Sequence, residues 1–349
     1  MWSTLPFDLL ANIFSFLSLD SLARAQSACR NWYTCANAYP LPSIFHHRHP
    51  PWFLALPTRN RRPCCYFHNP ATNRWHMLSL DFISDPIRPI ASVTGGLVLI
   101  KITNSTILLL AICNPFTRQF KHLPLLNIAR TNPAVGVVIL SSNQYRVYVA
   151  GGMSEAGLSG ATYEPTVEMY DSRDATWRIV GSMPIEYAVR LTVWTPNESV
   201  YADGVVYWMT SARAYNVMGF EIGSNQWREL SVPMADRLEF AALVKREGRL
   251  TVVGGTGGEE ACVWELKGRN EWCLIEKVGI ELGLKLRKGK SIKCVGGDGG
   301  IWLYRELGSE MVVWREVVGE EGRWEWLGVE GCSSIGGEQV HNLSIKGLG

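Results

Sequence analysis

The sequence has little that could bind a structural metal. Its nine cysteines are odd in number and scattered, and no Cys-x-x-Cys pair occurs. The one close pair, Cys64 and Cys65, is adjacent in the chain and does not predict a disulfide. Both a zinc site and a thioredoxin-like dithiol therefore lack support. Free thiols favour a reducing compartment, so we expect a cytoplasmic or nuclear protein that carries no metal and no cofactor.

Charge of one sign and long hydrophobic runs are also scarce. The 34 Lys and Arg nearly balance the 32 Asp and Glu, and the net charge of +2 gives no field that would attract nucleic acid. The apolar run 97–112 is interrupted by Lys101 and by polar residues 103–106, so it predicts a hairpin rather than a membrane span. The N-terminus lacks a basic segment and carries Asp8, which argues against a signal peptide. Neither nucleic acid nor a membrane is an expected partner.

A feature that the chain does have is an aromatic residue that recurs about every fifty positions. Residues 167–177 begin with the apolar or aromatic residues Val167, Met169 and Tyr170, continue through a short polar turn and end on a tryptophan. Asp and Ser before such a turn can hydrogen-bond their own backbone, which predicts strand, tight turn and strand. The aromatic residues that close the successive copies are Trp75, Phe120, Trp177, Trp227, Trp272 and Trp324. This spacing predicts a six-bladed β-propeller.

The first forty residues predict a different fold, a module of three short helices. Pro6 and Asp8 favour a helix start, because proline fits the first helical position and an anion complements the helix dipole. Apolar residues then recur at helical spacing in two neighbouring stripes. A second short helix is predicted around Leu22 and a third through Trp32. Three short helices cannot bury two apolar faces alone, so we expect one face to meet a partner, with packing of the segment on the propeller as the alternative.

These residues resemble the F-box consensus, which runs from leucine-proline through a leucine-rich helix to a cysteine-arginine-x-tryptophan close. Ala28 stands where many F-boxes have valine. The resemblance implies docking on the Skp-type adaptor of a cullin-based ubiquitin ligase. The adaptor-binding residues that it implies are Leu5, Pro6, Leu9, Leu10, Ile13, Phe14, Leu17, Leu22, Cys29 and Trp32. The repeat is similar to kelch, and the whole chain resembles a plant-type F-box/kelch-repeat protein.

The predicted layout is therefore an all-α F-box module over residues 1–40, a connector over 41–51 and a kelch-like propeller over 52–349. The connector is rich in proline, which makes it stiff. It also carries His46, His47 and His49, which without Cys, Asp or Glu nearby predict a solvated segment rather than a metal site. Residues 52–80 supply only three strands of one blade. We therefore predict that residues 339–345 pair with them as the innermost strand and close the ring.

One face of the ring is the predicted target-binding surface. If the strands of each blade are lettered a to d from the centre outward, the b–c and d–a loops share a face. The b–c loops are long and varied, and loops on a rigid scaffold usually carry binding. Arginine and tyrosine are common interface anchors, although ordinary solvated loop charge is the alternative for each residue. The candidates are Arg59, Arg61, Arg62, Arg130, Arg190, Arg213, Tyr215 and Arg237.

No catalytic motif stands out. A P-loop, a dinucleotide fingerprint and a nucleophile elbow are all missing from the sequence. Residues 172–177 faintly resemble the Asp box of sialidases, but the glycine spacer is missing and the motif occurs once. A copper oxidase, known among kelch-type propellers, would need His and Tyr ligands and a Cys–Tyr crosslink. We predict a non-catalytic substrate-receptor subunit of an SCF-type ligase that binds a protein target. A propeller enzyme (oxidase or glycosidase) and an F-box scaffold outside a ligase are the alternatives.

Overall fold

The structure is a computed structural model, and the residues it describes fall in many short ranges. They are 5–15, 17, 25, 28–38, 52–58, 63–70, 73–94, 96–141, 144–155, 160–193, 199–211, 214–256, 261–268, 270–286, 292–297, 300–317, 320, 322–335 and 339–345. The helix predicted around Leu22 and the whole connector 41–51 lie outside these ranges.

The described part of the N-terminal module contains two short helices, α1 (Phe7–Ser15) and α2 (Arg30–Ala38). Pro6 stands immediately before α1, where its missing N–H would have had no helical acceptor. Asp8 lies in the first turn of α1, where its charge opposes the helix dipole. Both signals for a helix start therefore act at the position that the sequence predicts.

The rest of the described chain folds into antiparallel four-stranded sheets arranged as the blades of a ring. The N-terminal part of the closing blade contains β1 (Trp52–Pro57), β2 (Cys64–Asn69) and β3 (Arg74–Ser79). Blade one contains β4 (Ile87–Ser92), β5 (Val98–Ile102), β6 (Leu109–Asn114) and β7 (Gln119–His122). Blade two contains β8 (Ala134–Ser141), β9 (Gln144–Ala150), the extra hairpin β10 (Met153–Glu155) and β11 (Ala161–Tyr163), then β12 (Thr166–Asp171) and β13 (Thr176–Ser182).

The second half of the ring repeats this plan, with two helices between blades. Helix α3 (Ile185–Val193) leads into blade three, which contains β14 (Ser199–Ala202), β15 (Val205–Ser211), β16 (Tyr215–Glu221) and β17 (Gln226–Ser231). Blade four contains β18 (Phe240–Arg246), β19 (Arg249–Gly255), β20 (Cys262–Lys267) and β21 (Glu271–Lys277). Helix α4 (Ile280–Leu286) then precedes blade five, which contains β22 (Lys293–Gly297), β23 (Gly300–Tyr304), β24 (Met311–Glu316) and β25 (Trp324–Val329).

The ring is closed by β26 (Val340–Ile345), the last strand of the chain. It is the innermost strand of the closing blade, whose strand order is β26-β1-β2-β3. It pairs with β1 along its whole length, from Trp52 opposite Ile345 to Pro57 opposite Val340. The innermost strands of successive blades contact one another around the axis, and β26 lies between β22 and β4. The six-bladed propeller with a closing C-terminal strand is therefore confirmed.

The turns between strands c and d share one backbone conformation. In five blades, the residue two positions before the closing aromatic has a positive φ: Asn73, Arg118, Ala175, Asn225 and Gly322. A side-chain acceptor stabilises some of these turns, as where Asn114 Oδ1 accepts the amides of Phe116 and Thr117 at 3.0 and 3.1 Å. The polar residues that marked the repeat in sequence are thus required by turn geometry.

Ala175 is strained in this turn, because its left-handed φ of 56° is unfavourable for a residue other than glycine, asparagine or aspartate. The substitution Ala175→Gly is expected to raise the free energy of unfolding by about 0.5–1 kcal/mol. The reverse change at the equivalent position of blade five, Gly322→Ala, is expected to lower it. Urea denaturation with an unchanged m-value measures both effects. Equal stability of Ala175→Gly and wild type would contradict this account of the turn.

The closing aromatics hold adjacent blades together. Three of the tryptophans donate their indole N–H to a backbone carbonyl at or just beyond the outermost strand of the preceding blade. The bonds run from Trp75 to Glu330, from Trp177 to Pro124 and from Trp227 to Ser182, with N–O distances of 3.1, 2.9 and 3.0 Å. Three of the six closing aromatics therefore link adjacent blades by a hydrogen bond as well as filling space.

Three segments differ from the predicted loops. The loop between strands b and c of blade two contains the β10–β11 hairpin, whose start is tied to the preceding d–a loop by a bridge between Thr131 and Met153. Two of the d–a loops contain the helices α3 and α4. Their apolar residues pack under the blades, with Ala188 and Leu191 of α3 in the core between blades two and three. Within the described ranges, no helix combines the length and apolar character needed to cross a bilayer.

Candidate functional site

One side of the F-box helices forms a small core of its own. Leu10 and Phe14 of α1 are buried against Ala25 and Cys35. The Phe14 ring meets the Trp32 ring edge to face, with centroids 5.5 Å apart. Leu5 and Leu17, both half-buried, pack against the same cluster. These members of the predicted adaptor-binding set therefore hold α1 and α2 together.

The other side of α1 leaves apolar side chains in solvent. Leu9 is 48% exposed and Ile13 is 42% exposed, and their spacing of four residues places them on one face of the helix. Pro6 is exposed one turn before Leu9. We call Pro6, Leu9 and Ile13 the exposed stripe. An exposed apolar stripe on a module this small is typical of a surface that a partner covers. Cys29 is also exposed, while Leu22 lies outside the described residues.

On the ring, the predicted target-binding residues have different environments. Tyr215 begins β16 and its hydroxyl donates to the Glu239 carbonyl oxygen at 3.3 Å. Arg190 lies in α3 and pairs with Glu229, both partly exposed. Arg237 is exposed in the loop before β18. The remaining arginines of the b–c loops, Arg59, Arg61, Arg62 and Arg213, lie outside the described residues.

The prediction that Arg130 belongs to the target-binding face is wrong, because its side chain is 0% exposed. Its guanidinium donates to Glu168 Oε1 at 2.6 Å. It also donates to the backbone carbonyl oxygens of Gly151 and Thr166, at N–O distances of 3.1 and 3.0 Å. Burial lowers the pKa of Arg130, and the Glu168 carboxylate opposes that shift. Arg130 is therefore a core residue and has no surface to offer a target.

Glu168 completes this buried pair by fixing the d–a loop that carries Arg130. Its carboxylate accepts the backbone amides of Asn127 and Ile128, at 2.8 and 3.1 Å from the nitrogen atoms. The loop between blades one and two is thus tied to strand c of blade two by charge-assisted hydrogen bonds. These bonds hold this part of the loop face against blade two.

The structure brings together three residues that the sequence did not single out as a site. Arg88 of β4 and Lys101 of β5 are directly opposite each other in blade one. His341 lies on β26, the innermost strand that neighbours β4. We call these three residues the cationic cluster, and each is half-buried. In sequence, Lys101 was only an interruption of an apolar run. The signal that could have found the cluster is a lysine within an otherwise apolar strand.

Burial dominates the electrostatics of the cationic cluster. It lowers the pKa of both Arg88 and Lys101, and the charge of Arg88 lowers that of Lys101 further. Burial, followed by the charge of Arg88, lowers the pKa of His341 to about 4, so this imidazole is neutral at pH 7. Among the described residues, no three His, Cys, Asp or Glu side chains are arranged to hold a metal ion.

An exposed apolar stripe on F-box-like helices, followed by a closed six-bladed ring, defines the class of F-box propeller proteins. Comparison with known proteins agrees with this class. The F-box-like family matches residues 2–41, and the F-box associated beta propeller domain matches residues 52–288. The chain belongs to the F-box associated β-propeller family and is a plant-type F-box protein.

Its curated relatives include several F-box proteins of Arabidopsis thaliana. F-box only protein 6 is 22% identical over 355 residues, which cover 95% of this chain and 70% of that protein. An F-box/kelch-repeat protein is 25% identical over 295 residues, covering 79% of this chain and 69% of that protein. SKP1-interacting partner 15 is 33% identical over 147 residues, covering 36% of this chain and 38% of that protein.

Proposed function

We propose that this protein is the non-catalytic substrate-receptor subunit of a cullin-based, SCF-type ubiquitin ligase. The exposed stripe docks on a Skp-type adaptor, through which the chain joins a cullin, and the loop face of the ring binds a protein target. The observation that carries the proposal is the exposed stripe on α1, where Leu9 and Ile13 face solvent beside a formed core. A relative named as a SKP1-interacting partner supports the same adaptor.

In this role the chain supplies proximity rather than a reacting group. Holding a target near a ubiquitin-loaded conjugating enzyme raises the effective concentration of the target's lysines, which accelerates ubiquitin transfer without new chemistry. A rigid ring suits that task because it fixes the position of the bound target. The blade-bridging tryptophans and the buried Arg130–Glu168 pair provide such rigidity. The cysteines are free in the structure, which supports a cytoplasmic or nuclear location.

The double substitution Leu9→Ser/Ile13→Ser tests the docking surface. Both side chains are exposed, so the helical module keeps its core. Apolar interface anchors contribute about 2 kcal/mol or more each, so we expect adaptor affinity to fall by roughly a hundredfold or more. Surface plasmon resonance with immobilised Skp-type adaptor measures the change.

The matched control is Ile179→Ser/Ile280→Ser, which also replaces two exposed aliphatic side chains by serine, but at positions of the ring. This control is expected to bind adaptor as wild type does. Wild-type affinity in the Leu9/Ile13 variant would show that the exposed stripe is not the docking surface. Failure of wild type to bind any Skp-type adaptor would contradict the proposed function itself.

A further inference from the structure

Two cations, Arg88 and Lys101, face each other in blade one. Arg88 and Lys101 are Cα partners on adjacent antiparallel strands. Directly opposed residues place their side chains on the same face of a sheet, with Cβ atoms about 4.5–5.5 Å apart, and like charges there are destabilising. Among the described residues, neither side chain forms an ion pair with a carboxylate. The pair therefore costs stability in the isolated chain.

Other partly buried strand arginines of the ring have a partner within the chain: Arg228 and Arg315 donate to the Tyr207 hydroxyl and the Pro70 carbonyl oxygen, and two others pair with a carboxylate. Arg146 pairs with Asp171 at 3.0 Å between guanidinium nitrogen and carboxylate oxygen, and Arg246 pairs with Glu265 at 2.8 Å. A half-buried cation without such a partner loses hydration and gains no attraction in return. Arg88 and Lys101 differ from these arginines, because among the described residues neither has a carboxylate or a hydrogen-bond acceptor as partner. An anion from outside the chain would relieve both desolvation and repulsion.

The position of the cationic cluster indicates from which face of the ring such an anion would reach it. Arg88 is the second residue of strand a in blade one, and Lys101 is the next-to-last residue of strand b. His341 is the second residue of the neighbouring strand a. All three therefore lie at the strand ends that lead into the d–a and b–c loops, beside the axis of the ring. This is the loop face on which the target-binding surface is predicted.

We propose that the cationic cluster binds an oxyanion, either a phosphate or a carboxylate, carried by the polypeptide that the ring recognises. The assignment of the oxyanion to a target rests on the proposed function, whereas the oxyanion site itself does not. The guanidinium of Arg88 can bind two oxyanion oxygens at once, and Lys101 adds a second positive charge. A neutral His341 can donate one N–H to the same group.

The substitutions Arg88→Met and Lys101→Met test the oxyanion site in the full-length chain. Methionine keeps much of the side-chain volume and removes the charge. We expect each variant to bind inorganic phosphate at least about tenfold more weakly than wild type in isothermal titration calorimetry. We also expect each to melt at the same temperature as wild type or higher in low-salt buffer without phosphate, because the repulsion is removed.

The control is Lys121→Met, which removes one exposed cation from the outermost strand of the same blade. This variant changes the net charge equally and is expected to bind phosphate as wild type does. Lower melting temperatures in Arg88→Met and Lys101→Met, with unchanged phosphate affinity, would overturn the proposal, because the cations would then serve the fold alone. Equal phosphate binding by wild type and both variants would overturn it too.

A second experiment distinguishes the two sources of the oxyanion. Three immobilised mixtures of random heptapeptides, centred on phosphoserine, glutamate or serine, are compared for retention of the purified chain. Stronger retention on phosphoserine than on glutamate assigns a phosphorylated target, and the reverse assigns an acidic one. Equal retention on all three mixtures would contradict recognition of an oxyanion on a polypeptide. No adaptor is present, so this outcome is independent of whether the exposed stripe docks.

Discussion

Deletion of residues 339–349 is expected to unfold the whole ring rather than one blade. The deletion removes β26, which supplies strand a of the closing blade and contacts the innermost strands of both neighbouring blades. It also removes Leu343 and Ile345, which are buried between the closing blade and blade one. Loss of a buried aliphatic side chain costs about 2–5 kcal/mol, so two of them approach the whole stability of a typical domain.

Thermal melting followed by circular dichroism measures this effect. We expect the truncated chain to show either no cooperative transition or one displaced downward by more than about 10 °C. A shorter deletion of residues 346–349, which begins just after β26, is the control and should melt as the full chain does. A chain lacking β26 that melts like the full chain would show that ring closure does not depend on this strand.

Substitution of Arg130 by methionine is expected to lower the free energy of unfolding by about 3–5 kcal/mol. The change leaves the Glu168 carboxylate buried without its guanidinium partner, although two backbone amides still bind it. It also removes donors to the carbonyl oxygens of Gly151 and Thr166. Urea denaturation gives the free energy, with an exposed ion-pair residue, Arg118→Met, as the control that should change it only slightly.

The double substitution Arg130→Met/Glu168→Met separates loss of packing from the cost of an unpaired buried charge. Because two apolar side chains of similar size replace the pair, stability should recover toward that of wild type. A double variant no more stable than Arg130→Met would indicate that the hydrogen bonds to the backbone, rather than the charge pairing, carry the effect. An Arg130→Met protein as stable as wild type would contradict the structural role assigned to this residue.

The sequence was sufficient for features determined by local chemistry. The strand–turn–strand repeat needs a side-chain acceptor at the turn and an aromatic after it, and both are visible in residues 167–177. Counting those repeats gives six blades, and the shortage of one strand before residue 80 leads to β26 at the other end of the chain. Helical periodicity likewise locates α1.

Features that depend on distant partners were not predictable in this way. Arg130 is buried because Glu168, 38 positions later, lies beside it in the fold, and nothing near Arg130 in sequence indicates this. Arg88 and Lys101 meet only through the register of β4 and β5. Periodicity placed Leu9 and Leu10 in two neighbouring stripes, but packing against Cys35 decided which stripe is buried.

The central claim is that this chain is a substrate receptor within a ligase, and assembly with a cullin tests it most directly. Full-length protein is mixed with a Skp-type adaptor and a cullin, and the products are analysed by size-exclusion chromatography with light scattering. The account predicts a single species containing all three proteins at equal stoichiometry, which the Leu9→Ser/Ile13→Ser chain fails to join. A stable complex of chain and adaptor that excludes the cullin would contradict the account and indicate an F-box scaffold outside a ligase.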